Sequence, residues 1–470
     1  MPECGSSRFL AEREARLKAA VDAAGQRFDY LSVLGTDSSG ISFAATPRER
    51  RVADSRWSER GFVFRAQKDG RVVEYAASSL PDGDLAAFIA GKLEGLLASA
   101  PDARRYAPIP DEPAEASWRS SYGRDPFAED PERVLGILED ARKAVAEASG
   151  EVVFSAARAE FMRVSKLFIS ARRTLSQSFV WGQAYLVGVA RRGEATKTAH
   201  QSFSGLKGLE LLDELGAKAA SIAAEASALL GAGAIEPGEY EVILTPDIAG
   251  LLAHEAFGHG VEMDMFVKGR ARAAEYLGKS VASSIVDMYD GARGVDECGT
   301  YLFDDEGVLA TRTRVIDKGI LAAGLSDLQS ALALGSTPTG NGRREAFDHK
   351  AYARMTNTYF APGEHRYEDM VASVRHGWLL EKMSSGMEDP KSWGIQLVVS
   401  LAREIRDGAF TGRVAGPVVC SGYVPDVLGA IDMVSSDFEL SGSGYCGKGH
   451  KEFVKVSAGG PYLKTRMRLG

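Results

Sequence analysis

The sequence predicts an α+β fold: strand–helix units in the first half, then a mainly-β second half carrying one distinctive helix. Three observations predict it. The stretch "ERGFVFRAQKDGRVVEYAASSL" alternates apolar and polar residues on both sides of a "KDG" turn, the pattern of a β-hairpin. Segments such as "DPERVLGILEDARKAVAEASG" repeat their apolar residues at helical spacing between those strands. From about residue 238 onward the composition changes to short apolar runs separated by Gly-rich turns, as in "GTYLFDDEGV" and "TRTRVIDKGILAAGL". A chain of 470 residues is also too long for a single core, so more than one unit is expected.

The elements follow in order. Residues 1–105 read as a first α+β unit: an amphipathic N-terminal helix, the "KDG" hairpin, and the helix "DLAAFIAGKLEGLLASA". The proline-rich "PDARRYAPIPDEP" is a linker. Residues 114–232 read as a second α+β unit. Its first helix has Asp130 as N-cap, Pro131 at the first helical position and Gly150 at the end. Two long strand-like runs follow, beginning "EVVFSAARAEF" and "SFVWGQAYLVG", and then an alanine-rich helix. "GAGAIEPGEY" is a second linker, and residues 238–470 form the β-rich unit.

Composition narrows the function. The chain is 45% apolar and 26% charged, ordinary values for a globular protein, with a formal net charge of −8 and no basic stripe. Nucleic acid is therefore not an expected partner. No signal-peptide core opens the sequence and no run is long enough to span a membrane. Four cysteines, Cys4, Cys298, Cys420 and Cys446, lie far apart without a CxxC pair, which fits a reducing cytoplasm better than a disulfide scaffold.

The chemistry concentrates in "TPDIAGLLAHEAFGHGVEMD", residues 245–264. Thr245, Pro246 and Asp247 make a helix start, so His254 lies inside a helix. His254 and His259 are five residues apart, one more than in the H-E-x-x-H helix of zinc peptidases. In a regular α-helix, five residues turn about 500°, leaving the two rings roughly 140° apart and unable to share an ion. A π-type turn or a break at Ala256–Gly258 would return them to one face, and Gly258 and Gly260 would make an irregular turn cheap. The other reading is two helix histidines with structural hydrogen bonds. If the pair does hold a metal, Glu255 is placed to act as general base toward a water the ion activates. A third ligand is then required. Cys446 in "GSGYCGKGHKEF" is the leading candidate, with His450 as a rival and Asp264 as a supporting or capping group. In "TGNGRRE", Asn341, Arg343 and Arg344 are candidate substrate-positioning residues, since Arg can grip a carboxylate with two bonds; a turn with solvated arginines is the alternative. "SAGGPYLK" reads as a C-terminal strand or as an edge strand that accepts an extended peptide.

These pieces together carry a resemblance. "LLAHEAFGHGVEMD", "DDEGV", "IDKGIL", "TPTGNGRREAF", "RMTNTYFAPGE" and "CGKGHKEFVKVSAGGPYLK" occur in an order that resembles the TldD/PmbA family over roughly residues 238–466, and the first half is similar in layout. The resemblance implies the metal-binding, TldD-like branch: metal ligands at His254, His259 and Cys446, and the catalytic glutamate at Glu255. It implies a peptidase that cleaves unstructured peptides inside a closed dimer, as a homodimer or as a heterodimer with a TldE/PmbA-like chain. The implied cofactor is a divalent metal, zinc by preference. Against it stands a non-catalytic peptide-binding or scaffold subunit with a structural metal, which a fourth protein ligand such as His450 would favour.

Overall fold

The structure is a computed structural model that describes residues 1–449 and 451–470. Its first half is built on one sheet. The strands are β1 (Tyr30–Ala45), β2 (Arg50–Asp54), β3 (Glu59–Lys68), β4 (Arg71–Ala77), β5 (Ala114–Arg119), β6 (Val152–Ser170), β7 (Arg173–Arg192) and β8 (Ala195–Gly205). They lie in the order β4-β3-β1-β6-β7-β5, with β2 beside β1 and β8 beside β7. The "KDG" hairpin is β3–β4, paired from Phe62↔Ala77 to Lys68↔Arg71. Asp130 caps the helix Pro131–Glu147, accepting a bond from the Glu132 N–H at 3.0 Å.

The linker expected near residues 105–114 does not divide this half into two sheets. β1 is long enough to pair with β3 on one side and with β6 on the other, so strands from both expected units share one ladder. What does divide is the helical cover. Helices Glu14–Gly25 and Leu85–Ser99 pack on Leu31, Val33, Phe62, Phe64, Leu167 and Ile169. Helices Pro131–Glu147 and Leu215–Leu229 pack further along the same face, on Phe43, Ala45, Ala159, Phe161 and Leu186. A long strand thus carries two apolar clusters on its odd-numbered residues.

The opposite face meets the second half of the chain. Leu34, Phe168 and Leu175 pack on Leu302 and Phe303. Buried ion pairs flank that contact: Arg65 with Glu306, Lys166 with Asp305, and Arg344 with Glu74. In the second half, β9 (Gly238–Leu244) pairs with Leu463–Leu469 and with His376–Asp389. Gly394–Arg406 and Val418–Tyr423 complete a closed ring of strands. A second sheet contains Met288–Asp290, Asn357–Phe360 and Ser457–Gly460. The helix Pro246–Leu252 presses on this sheet through Gly250, where a Cβ would stand 2.5 Å from the backbone nitrogen of Gly459. "SAGGPYLK" is therefore no edge. Ser457–Gly460 is flanked by Asn357–Phe360 and by Glu439–Ser441, so both its sides are already paired.

Candidate metal centre

Pro246–Leu252 is a regular α-helix, and the next six residues, Ala253–Gly258, form a π-turn before a short 3-10 turn at His259–Val261. The wider turn absorbs the extra residue of the H-E-x-x-x-H spacing and brings the two rings together, with centroids 5.2 Å apart. Thr245 occupies the N-cap position, but its hydroxyl donates to the Leu380 carbonyl at 2.9 Å instead of capping the helix. The glycines act differently from expectation. Gly258 keeps an ordinary helical φ of −65°, so no special backbone freedom is used. Its missing side chain makes room for Met355, whose sulfur would lie 1.9 Å from a Cβ there; at Gly260 a Cβ would lie 2.9 Å from Glu388 Oε1.

Cys446 arrives from across the molecule on a two-stranded hairpin, Tyr445–Lys448 with Lys451–Lys455. Its Sγ lies 3.1 Å from His254 Nε2 and 3.3 Å from His259 Nε2. The three donor atoms all fall within 4.8 Å of one another. Bond lengths of about 2.0–2.1 Å to nitrogen and 2.3 Å to sulfur at a tetrahedral angle place N and S about 3.6 Å apart. A small outward movement of the sulfur meets that requirement, so two imidazoles and one thiol fit a zinc-like cation.

The electrostatics prepare the sulfur for that role. Burial pushes the Cys446 thiol up, but the neighbouring His254 and His259 rings overcome this and hold it well below the ordinary thiol range. Burial pulls His259 down, and the Cys446 sulfur and Glu262 carry it well above the usual imidazole value. Binding a cation then requires the His259 ring to release its proton.

Several residues that sequence reasoning missed surround these donors. Glu262, 2% exposed, sets Oε2 3.5 Å from His259 Nδ1. Burial opposes its charge, yet Lys448 and His259 hold its carboxyl well below the usual carboxylate range. Arg354, fully buried, donates from Nη2 to Cys446 Sγ at 3.0 Å and to the Cys446 carbonyl at 2.8 Å. Lys448 Nζ donates to Glu262 at 2.6 Å and to Asp264 at 2.8 Å, so Asp264 supports the hairpin behind the donors. Spacing could have found two of these: Glu262 lies three residues after His259, and Lys448 two after Cys446. Nothing local marks Arg354. A carboxylate behind a ligating histidine fixes its tautomer and raises its basicity. Glu262→Gln is therefore expected to weaken metal affinity about 10- to 100-fold, measured by competition with a chelator.

The "TGNGRRE" side chains are engaged with partners inside the protein. Asn341 is 1% exposed and donates to Asp290 Oδ1 at 2.8 Å and to the Arg354 carbonyl at 2.9 Å. Arg344 is paired with Glu74 across the two halves of the chain. The Asn341 amide nitrogen and the Arg344 guanidinium thus already hold protein partners. Arg343 donates to the Met355 carbonyl at 2.7 Å and lines a small cavity of about 110 Å³ with Trp57, Trp181 and Tyr445. His450, the rival ligand, lies outside the described residues.

The family model for the PmbA/TldA metallopeptidase C-terminal domain matches residues 237–467, the segment that holds all three donors and Glu255. Residues 237–467 of this chain belong to the TldD/PmbA family. A metalloprotease of Methanothermobacter thermautotrophicus is 32% identical over 60% of this chain and 62% of its own length. A zinc metalloprotease TldD homolog of Saccharolobus solfataricus is 30% identical over 49% of this chain and 51% of its own. The matches span between 52% and 65% of the length of the first curated relatives. In fold, the chain superposes on TldE from Thermococcus kodakarensis with a TM-score of 0.75, at 17% identity, over 96% of this chain and 99% of that one. The TldD/PmbA likeness thus rests on sequence in the C-terminal half and on fold throughout. No helix among the described residues is long and apolar enough to cross a membrane.

Proposed function

We propose that this TldD/PmbA chain is a metal-dependent peptidase acting on extended, unfolded peptides. The observation that carries the reading is the π-turn. It turns His254 and His259 toward Cys446 and leaves Glu255 beside them with no hydrogen bond or ion pair among the described residues. A divalent ion held by His254, His259 and Cys446, zinc by preference for this donor set, supplies Lewis acidity toward water and toward a peptide carbonyl. Glu255 accepts the proton of the attacking water and returns it to the amine nitrogen as the C–N bond breaks. Among the described residues three donors, His254, His259 and Cys446, converge, the number a catalytic site uses and one fewer than a closed structural site. That favours catalysis over the scaffold alternative.

Two features support an extended peptide. β9 pairs with His376–Asp389 only as far as Leu380↔Leu244. Past that point this side of the strand has no strand partner among the described residues, and Met383 and Met387 are 43% and 69% exposed. Gly386 on this stretch lies against Glu255, where a Cβ would come within 2.6 Å of Glu255 Cγ. A peptide added as a further strand here would run past the base. The polar face of the N-terminal sheet adds a cavity of about 760 Å³ lined by Arg158, Glu160, Tyr185 and His200, which meets the metal hairpin through the bond from Tyr445 to Glu160 at 3.2 Å.

In this reading the protein works in the cytoplasm, as a homodimer or with a TldE-like partner chain that helps enclose the site. The test is cleavage of one protein presented folded and unfolded to the metal-loaded enzyme, with a TldE-like chain added in a parallel series. Cleavage of the unfolded form alone is expected. Equal rates on both forms, or no cleavage of any peptide by loaded protein in either series, would refute the reading.

A further inference from the structure

Glu388 lies on the free stretch of the strand His376–Asp389, two residues beyond the glycine that packs on Glu255. Alternate residues of a strand share a face, so Gly386 and Glu388 look toward the same pocket, about 7 Å apart along the strand. The Glu388 carboxyl reaches the turn that carries His259, because Gly260 has no side chain to block it. Both of its oxygens are buried and neither has a hydrogen-bond partner among the described residues. It stands outside the group of donor atoms that converge on Cys446, so it is no ligand candidate.

Such a carboxyl is expensive to keep. A buried acidic group without a partner is destabilising unless something neutralises it or donates to it. Glu388 forms no ion pair with an arginine or lysine among the described residues; the charges that act on it most are His259, which opposes, and Glu255, Asp389 and Glu262. The pocket is thus lined by carboxyl groups, buried and incomplete on the side where the substrate edge runs.

We infer that Glu388 is a specificity-determining residue that binds a cationic nitrogen of the substrate peptide beside the scissile bond. The inference rests on the peptidase reading and names its substrate class: peptides that place either a free α-ammonium or a lysine ammonium in this pocket. A cation there supplies both the missing charge and the missing hydrogen-bond donors, and an ammonium offers three.

Binding separates this inference from the peptidase reading. Three kinds of hexapeptide probe are titrated calorimetrically into metal-loaded Glu255→Gln protein, which consumes them slowly at most: one with a free N-terminus and no Lys or Arg, the same peptide acetylated, and a series of acetylated peptides carrying one lysine at successive positions. At least one cationic form should bind 10-fold or more tighter than the uncharged acetylated peptide. The preferred form identifies the source of the ammonium. In the Glu255→Gln/Glu388→Gln double variant that preference should vanish, while affinity for the uncharged peptide and metal content stay unchanged. Glu388→Gln keeps the side-chain shape and removes a buried acid with no partner, so thermal stability should hold or rise, and a melting curve checks this. Equal binding of all probes by the single variant, or a preference that survives in the double variant, would overturn the role of Glu388 while leaving the peptidase reading standing. If no probe binds at all, the peptidase reading fails and this inference fails with it.

Discussion

Glu255→Gln is expected to retain its metal and its peptide affinity and to lose turnover by about 100- to 10,000-fold, the usual contribution of a general base. The substitution keeps the length and shape of the side chain and removes only its basicity. Glu255 is half-buried, pressed on Gly386, and without a hydrogen bond or ion pair among the described residues, so no structural bond is lost with the charge. A variant that cleaved at the wild-type rate would show that another group takes the proton. Metal content and cleavage rate must be measured on the same preparation, since a drop in both would point to a damaged site and not to a missing base.

The second large effect concerns the donors themselves. His254→Ala, His259→Ala and Cys446→Ala are each expected to lower the metal content from about one ion per chain to a small fraction of that, with activity following the metal. The cysteine variant is the most informative. Cys446 sits on a hairpin that shares only one short ladder with its neighbour strand, but Arg354 also holds the Cys446 carbonyl at 2.8 Å. Removing the sulfur should therefore empty the site without unfolding the hairpin. Elemental analysis with circular dichroism tests both halves of that statement. Full metal content in Cys446→Ala would mean that the third donor lies elsewhere.

Much of this was legible in the chain. Alternation on both sides of the "KDG" turn marked β3 and β4, and Asp130–Pro131 marked a helix start, because both signals act between residues close in sequence. The five-residue spacing of His254 and His259 demanded an irregular turn on geometric grounds alone, and a π-turn is what forms. Other features depended on partners far away. Gly258 and Gly260 looked like backbone hinges, but they are spaces for Met355 and Glu388, residues about a hundred positions downstream. Asn341 and Arg344 looked like free substrate contacts until Asp290 and Glu74 supplied their partners.

Local sequence thus determined which residues are helix, strand and candidate ligand, since propensity, capping and periodicity are short-range properties. Only the tertiary structure decided which polar groups are satisfied. It paired Glu262 with Lys448 and set Arg354 against the Cys446 sulfur, and it left the Glu388 oxygens without a hydrogen-bond partner among the described residues. The reason is that the cost of burying a charge depends on what surrounds it in space, and those surroundings come from strands and turns up to about two hundred residues apart along the chain.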